Sequence, residues 1–164
     1  MKKWIHIGIG LLVVVLILVS VLVYFSIQPQ QEKKNIAYQV ALEKSNLETT
    51  EDFHWFRYDK DYYVVGGKDT DGEKSFVWIA ADSLDIIAEH KASEGLSEKE
   101  VLETYKDEWN INELVDVKLG YANERPLWEI TFIDDQNKYT FLQVSFLTGD
   151  WIRYYQYRRG GGSS

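Results

Sequence analysis

One run near the N-terminus constrains this chain more than anything else in it. Residues 5–27, IHIGIGLLVVVLILVSVLVYFSI, contain no Asp, Glu, Lys or Arg. As a helix these 23 residues rise ~34 Å, enough to cross a ~30 Å hydrocarbon core with some tilt. A helix satisfies its own backbone hydrogen bonds, so lipid can hold it. A signal peptide would carry a shorter apolar core of ~7–15 residues and a small-x-small cleavage site. No alanine precedes Ala37. The run therefore predicts an uncleaved single-pass anchor. Lys2 and Lys3 favour a cytoplasmic N-terminus and an extracytoplasmic domain, although Lys33 and Lys34 weaken the contrast. Trp4 and the Tyr24–Phe25 pair fall where interfacial aromatic belts would lie.

Beyond the anchor the chain reads as a folded acidic domain. The net charge is −8; setting aside Lys2 and Lys3 leaves 16 basic against 26 acidic side chains. Such a surface repels phosphate backbones and anionic headgroups, which argues against nucleic acid as a partner. The absence of cysteine excludes disulfides, thiolate chemistry, Cys-ligated zinc and lipidation at a lipobox cysteine.

The polar stretch Gln28-Pro29-Gln30-Gln31 predicts a break, and a helix is expected from Gln31 to Leu47 with Ile36, Ala37, Val40, Ala41 and Leu47 on one face. Strands are expected over 53–58, 62–65, 75–80 and 84–90. Ser97 and Glu100 form a capping box, with Leu96 and Val101 placed as a hydrophobic staple. Val101, Leu102, Tyr105 and Trp109 continue the buried stripe of this second helix. Strands resume over 115–121, 127–133, 139–146 and 151–157. In the second of these, Trp128, Ile130 and Phe132 alternate with Glu129 and Thr131.

A gapless offset of 65 residues relates the two halves. It places Tyr62-Tyr63 on Leu127-Trp128, Asp69 on Asp134, Phe76 on Phe141, Ile79 on Val144, Asp85 on Asp150 and Ile87 on Ile152. It also places Ile36 on Val101 and Val40 on Tyr105. The order helix, strands, helix, strands then reads as a duplicated unit, each copy a helix on one face of an antiparallel sheet. Each copy is too small for an ample core of its own, so the halves are expected to share apolar surface. The expected divisions are residues 1–27 for the tail and anchor, 28–93 and 94–159 for the repeats, and 160–164 for a flexible tail.

The chemistry is sparse. No nucleophile elbow, phosphate loop, dinucleotide fingerprint or HExxH motif is present. His6, His54 and His90 are isolated from one another in sequence. Asp69-x-Asp71-Gly72-Glu73 lacks the third acidic position and the later glutamate of a calcium loop, and reads as a hairpin turn. No catalytic residue, metal ligand, cofactor or small-molecule substrate is expected. The unusual patch is the last strand, where Trp151, Arg153, Tyr155 and Tyr157 share a face by strand alternation and Arg158 follows. Trp, Tyr and Arg dominate interface hot spots, so these five are the candidate partner-binding residues. The competing reading is that the aromatics cover the helix and the arginines pair with local acids.

The segments YYVVGGKDTDGEKSFVWIAAD (62–82), EGLSEKE (94–100) and LWEITFIDDQNKYTFLQVSFLTGDWI (127–152) resemble the YpmB/TseB family of low-GC Gram-positive bacteria, described as cell wall elongation regulators. The resemblance covers essentially the whole chain. It implies an α+β fold: an N-terminal transmembrane helix followed by two tandem PepSY-like or cystatin-like repeats outside the membrane. It also implies association with an elongation-specific class B penicillin-binding transpeptidase, without catalysis by this chain. A protease-inhibitor or chaperone-like PepSY module is the alternative. FLTGDWI looks like a PepSY closing hairpin, and Leu84 in the first half replaces its Gly149, so the first turn is expected to differ.

Overall fold

A computed structural model describes residues 2–158, with the side chains of 2–11 and 22–29 outside the description. His6, the aromatic-belt positions Trp4, Tyr24 and Phe25, and the expected flexible tail 160–164 fall outside accordingly. By its contacts the chain divides into two units, Met1–Ile36 and Ala37–Ser164.

Helix α1 spans Lys2–Lys44, so the expected break at Pro29 does not occur. Proline fixes φ near the helical value, removes one hydrogen bond and crowds the preceding turn, yet the helix continues through it. Among the described residues no helix is long and apolar enough to cross a membrane. Within the apolar run only residues 12–21 have described side chains, and ten residues rise just ~15 Å.

The second unit is α+β, with two four-stranded antiparallel sheets. The first runs β1 (Asp52–Arg57), β2 (Asp61–Lys68), β3 (Lys74–Ala80) and β4 (Ile86–Lys91) in spatial order. The second runs β5 (Ile111–Ala122), β6 (Arg125–Asp134), β7 (Lys138–Ser145) and β8 (Trp151–Arg158), also in order. Between them lies α2 (Glu98–Tyr105), which begins at the expected capping box: Ser97 Oγ accepts from the Glu100 N–H and the Glu100 carboxylate accepts from the Ser97 N–H.

The 65-residue offset carries over from sequence to pairing. Tyr62 stands opposite Ala80 in the first sheet and Leu127 opposite Ser145 in the second. Trp78 stands opposite Ala88, and Gln143 opposite Arg153. A register shift follows in each case, between Trp78 and Ile79 and between Gln143 and Val144. The β2–β3 and β6–β7 turns match as well. Asp69 Oδ1 accepts from the Asp71 and Glu73 N–H groups, and Asp134 Oδ1 from those of Gln136 and Lys138. Gly72 and Asn137, 65 apart, both have positive φ.

The β3–β4 turn corrects an expectation. Leu84 takes φ +57°, close to the +77° of Gly149, and the hydrogen bonds coincide. Leu84 N–H donates to Ala80 O and Gly149 N–H to Ser145 O; Ala80 N–H donates to Asp85 O and Ser145 N–H to Asp150 O. The two turns are alike, and Leu84 holds a left-handed conformation that glycine adopts freely.

Three expectations about burial also change. Leu47 is buried, but after the end of α1, in a bridge to Asp69. Ala37, Val40 and Ala41 are buried while Ile36 is exposed, so the equivalence of Ile36 with the fully buried Val101 does not extend to environment. Finally, the sheets are not covered on one face only: nearly every residue of the central strands β2 and β6 is buried. Ala37, Val40 and Ala41 cluster with Tyr63, Val65, Val77 and Ile79 on one face of the first sheet. Val64, Phe76 and Trp78 on the other face join Val101, Leu119, Trp128 and Phe146 in a core shared by both halves. The first sheet covers the β5 edge of the second. Trp78 Nε1 donates to Gly120 O at 2.8 Å, and a Cβ at Gly120 would come within 2.5 Å of the Phe56 ring.

Candidate functional site

The face of the second sheet that points away from its core carries a row of polar side chains across all four strands. Lys118 on β5 stands opposite Glu129 on β6, Glu129 opposite Gln143 on β7, and Gln143 opposite Arg153 on β8. Directly opposed residues share a face, so the four side chains meet. Lys118 Nζ lies 3.3 Å from Glu129 Oε1. Gln143 Nε2 donates to Glu129 Oε2 at 2.8 Å, and Arg153 Nε donates to Gln143 Oε1 at 2.7 Å. Arg153 Nη1 then donates to the Tyr58 hydroxyl. Glu129 and Gln143 are 9% and 2% exposed, so the chain of partners is what makes their burial tolerable. At the end of the row Arg153 Nη2 is buried without an acceptor.

The corresponding face of the first sheet has a different setting, packed into the core shared by both halves. Sixty-five residues earlier, Val64, Trp78 and Ala88 fill the positions of Glu129, Gln143 and Arg153 with apolar side chains.

Above the row lies an open groove of about 540 Å³. Lys118, Glu129 and Gln143 contribute polar groups to it, and Trp55, Tyr58, Phe141, Tyr155 and Tyr157 contribute rings. The rings are braced. The Arg153 guanidinium lies 4.1 Å over Tyr58, the Arg57 guanidinium 4.9 Å over Trp55, and Phe141 meets Tyr157 edge-on at 6.1 Å. Such contacts fix ring orientation before any ligand arrives.

The structure divides the C-terminal patch. Tyr155 and Tyr157 stand opposite Phe141 and Tyr139 and line the groove, and Arg153 joins them over Tyr155. Trp151 does not share their face. Ile152 is an extra residue in the ladder, so Trp151 stands opposite Val144, next to Gln143 in sequence and on the other side of the sheet. Arg158 stands opposite Lys138, also off the groove face. Trp151 and Tyr157 are nonetheless the most exposed aromatics of β8, at 57% and 62%. Arg153 bonds to an amide and a phenol rather than to a local acid.

Sequence reading missed Lys118, Glu129, Gln143 and the β1 side of the groove. Glu129 looked like an ordinary solvent-face residue of an alternating strand. Its signal was the offset, which sets it on Val64.

The other candidates resolve differently. Lys91 Nζ sits among Asp69, Asp71 and Glu73 at 3.9, 3.1 and 2.5 Å, so an ammonium group takes the place a cation would need. Its hydrogen bonds to Glu73 and Asp71 raise the lysine pKa. Among the described residues no group of His, Asp or Glu is arranged to hold a metal. Burial lowers the His54 pKa. His90 Nδ1 is 2.7 Å from Glu94.

Comparison with known proteins adds three findings. Residues 37–80 match the family described as "Cell wall elongation regulator TseB-like domain". The chain is 31% identical over 145 residues to the "Probable cell wall elongation regulator TseB" of Bacillus subtilis (strain 168), covering 88% of this chain and 90% of that one. The solved structure of "YpmB protein from Bacillus subtilis" superposes with a TM-score of 0.67 at 30% identity, over 73% of this chain and 94% of that one.

Proposed function

Because the chain belongs to the TseB family of cell wall elongation regulators, we propose that it is a membrane-anchored regulator of peptidoglycan synthesis during elongation, acting by binding rather than by catalysis. In this reading residues 5–27 span the membrane, the N-terminus is cytoplasmic, and the folded unit works outside as an adaptor for an elongation-specific class B penicillin-binding transpeptidase. The observation that carries the reading is the similarity to a named regulator along nine-tenths of that protein's length. The length and apolarity of residues 5–27 support the anchor.

The partner surface is assigned to β8. It is the edge strand of the second sheet, and it carries Trp151, Tyr154, Tyr155 and Tyr157 exposed. An exposed aromatic edge invites pairing with another chain. Of the five candidate residues, Trp151, Tyr155, Tyr157 and Arg158 are free of the polar row and can be replaced without dismantling it; Arg153 is part of it.

In-cell crosslinking of the full-length protein tests the reading. A class B transpeptidase should be recovered, and Trp151→Ala with Tyr157→Ala should reduce the yield while circular dichroism stays unchanged. Repeated capture without any wall-synthesis protein would remove the proposal.

A further inference from the structure

We infer that the groove on the second sheet is a saccharide-binding site that takes a segment of glycan chain. A sugar ring has a face of C–H groups and a rim of hydroxyls. The groove offers both complements: aromatic rings along its sides, and a carboxylate, an amide and an ammonium group along the polar row. Glu129 already accepts from Gln143 and lies against Lys118, yet a carboxylate has about four acceptor sites, so two remain for hydroxyl donors. The groove volume of about 540 Å³ lies within the ~300–1,000 Å³ of small-ligand sites. Bracing by Arg153, Arg57 and Phe141 lowers the ordering cost of stacking on Tyr58, Trp55 and Tyr157.

Other occupants fit less well. An extended peptide binds a sheet through backbone groups at an open edge. Glu129 and Gln143 lie on β6 and β7, whose backbones pair with strands on both sides, so a peptide over the polar row would find no ladder partner there; the open edge is at the β8 rim. A nucleic acid would meet Glu129 in the row and a net charge of −8 on the chain. An acyl chain would strand the polar row in hydrocarbon. Glu129 and Gln143 line the groove although both are nearly buried, a polar floor suited to a ligand that carries hydroxyls.

This inference uses the family reading only to choose the glycan to test, and it does not require a transpeptidase. The full-length protein in detergent micelles is titrated with the hexamer of β-1,4-linked N-acetylglucosamine and with peptide-free glycan strands released from purified wall. Tryptophan fluorescence and amide chemical shifts are followed. Saturable binding is expected, with shifts centred on Tyr58, Glu129, Gln143 and Tyr155. Tyr157→Ala and Tyr58→Ala should each weaken it about tenfold. Tyr157 is largely exposed, so its removal leaves the core intact. Absence of saturable binding by the wild-type protein to either saccharide would overturn the inference, as would binding that neither substitution weakens in a folded variant. Groove shifts produced by a transpeptidase domain and by neither saccharide would overturn it too, while leaving the proposed function standing.

Discussion

Gln143 stands directly opposite Glu129 and donates its amide hydrogen to the Glu129 carboxylate across 2.8 Å, with both side chains nearly removed from solvent. The Gln143 amide works in both directions, because its oxygen accepts from Arg153. Gln143→Leu keeps the volume but leaves a buried carboxylate and a half-buried guanidinium each short of a partner. The variant should lose about 2–4 kcal/mol in urea unfolding. Glu129→Leu in the same chain removes one orphan, so the double variant should lose less than the sum of the singles, with a coupling of about 0.5–3 kcal/mol. Strict additivity would show that the row is not a connected network.

Leu84 makes a sharper test of the repeated turn. In ordinary extended or helical backbone alanine is more stable than glycine by roughly 0.5–1 kcal/mol. At φ +57° the order should invert, because a Cβ in the left-handed region costs about 1–2 kcal/mol. Leu84→Gly and Leu84→Ala both lose the side chain's packing against the α1 cluster, so their difference isolates the backbone. Leu84→Gly should unfold at higher denaturant than Leu84→Ala. The reverse order would mean that the turn relaxes out of the left-handed conformation.

Both results bear on what the sequence could disclose. The strands were legible because apolar alternation and turn residues are local signals, and Ser97 with Glu100 marked the start of α2 without tertiary help. The offset was legible because corresponding residues share chemistry, such as Asp69 with Asp134. Leu84 departs from expectation because a left-handed residue other than glycine is held by its surroundings: the Leu84 N–H donates to Ala80 O and the Ala80 N–H donates to Asp85 O, fixing the backbone against the local preference. Pro29 departs from expectation because a proline weakens a helix without having to end it: its fixed φ is itself a helical value. Strand alternation alone puts Trp151 on the groove face; Ile152 is an extra residue, and such a bulge appears only once the partner strand is known. The polar row was hidden for a similar reason, since four strands must be laid side by side before Lys118, Glu129, Gln143 and Arg153 become neighbours.

His54 sets a pH dependence. Burial lowers its pKa from the ordinary 6.5; Asp52 and Asp116 push it up, and Lys118 and Lys74 push it down. Between the folded value and 6.5 the unfolded chain therefore holds more protons than the folded one, so stability rises with pH through that window and is lost as pH falls below about 6.5. Asp69, Asp82 and Glu100 also have lowered pKa values, and their contributions fade only in more acidic solution, as pH drops through the carboxylate range. The urea midpoint should thus be lower at about pH 5.5 than at about pH 7.5, and His54→Gln should flatten the difference. An equal slope in the variant would place the titrating group elsewhere.

The apolar run yields the remaining prediction. Its Leu, Ile, Val and Phe residues each favour insertion by roughly 0.3–0.6 kcal/mol, and under the proposed anchor these contributions should sum to strong retention in the bilayer. The rest of the chain is acidic and is repelled by anionic headgroups, so it adds no electrostatic tether. Replacing residues 1–27 with a cleavable secretion signal should therefore move the protein from the membrane fraction to the medium, as read by immunoblot of fractionated cells. If the replaced protein stays with the membrane, a bound partner or a second membrane-binding surface holds it. Repeating the fractionation with Trp151→Ala and Arg158→Ala, both off the groove face, then separates these outcomes, because release on weakening β8 would identify the partner as the tether.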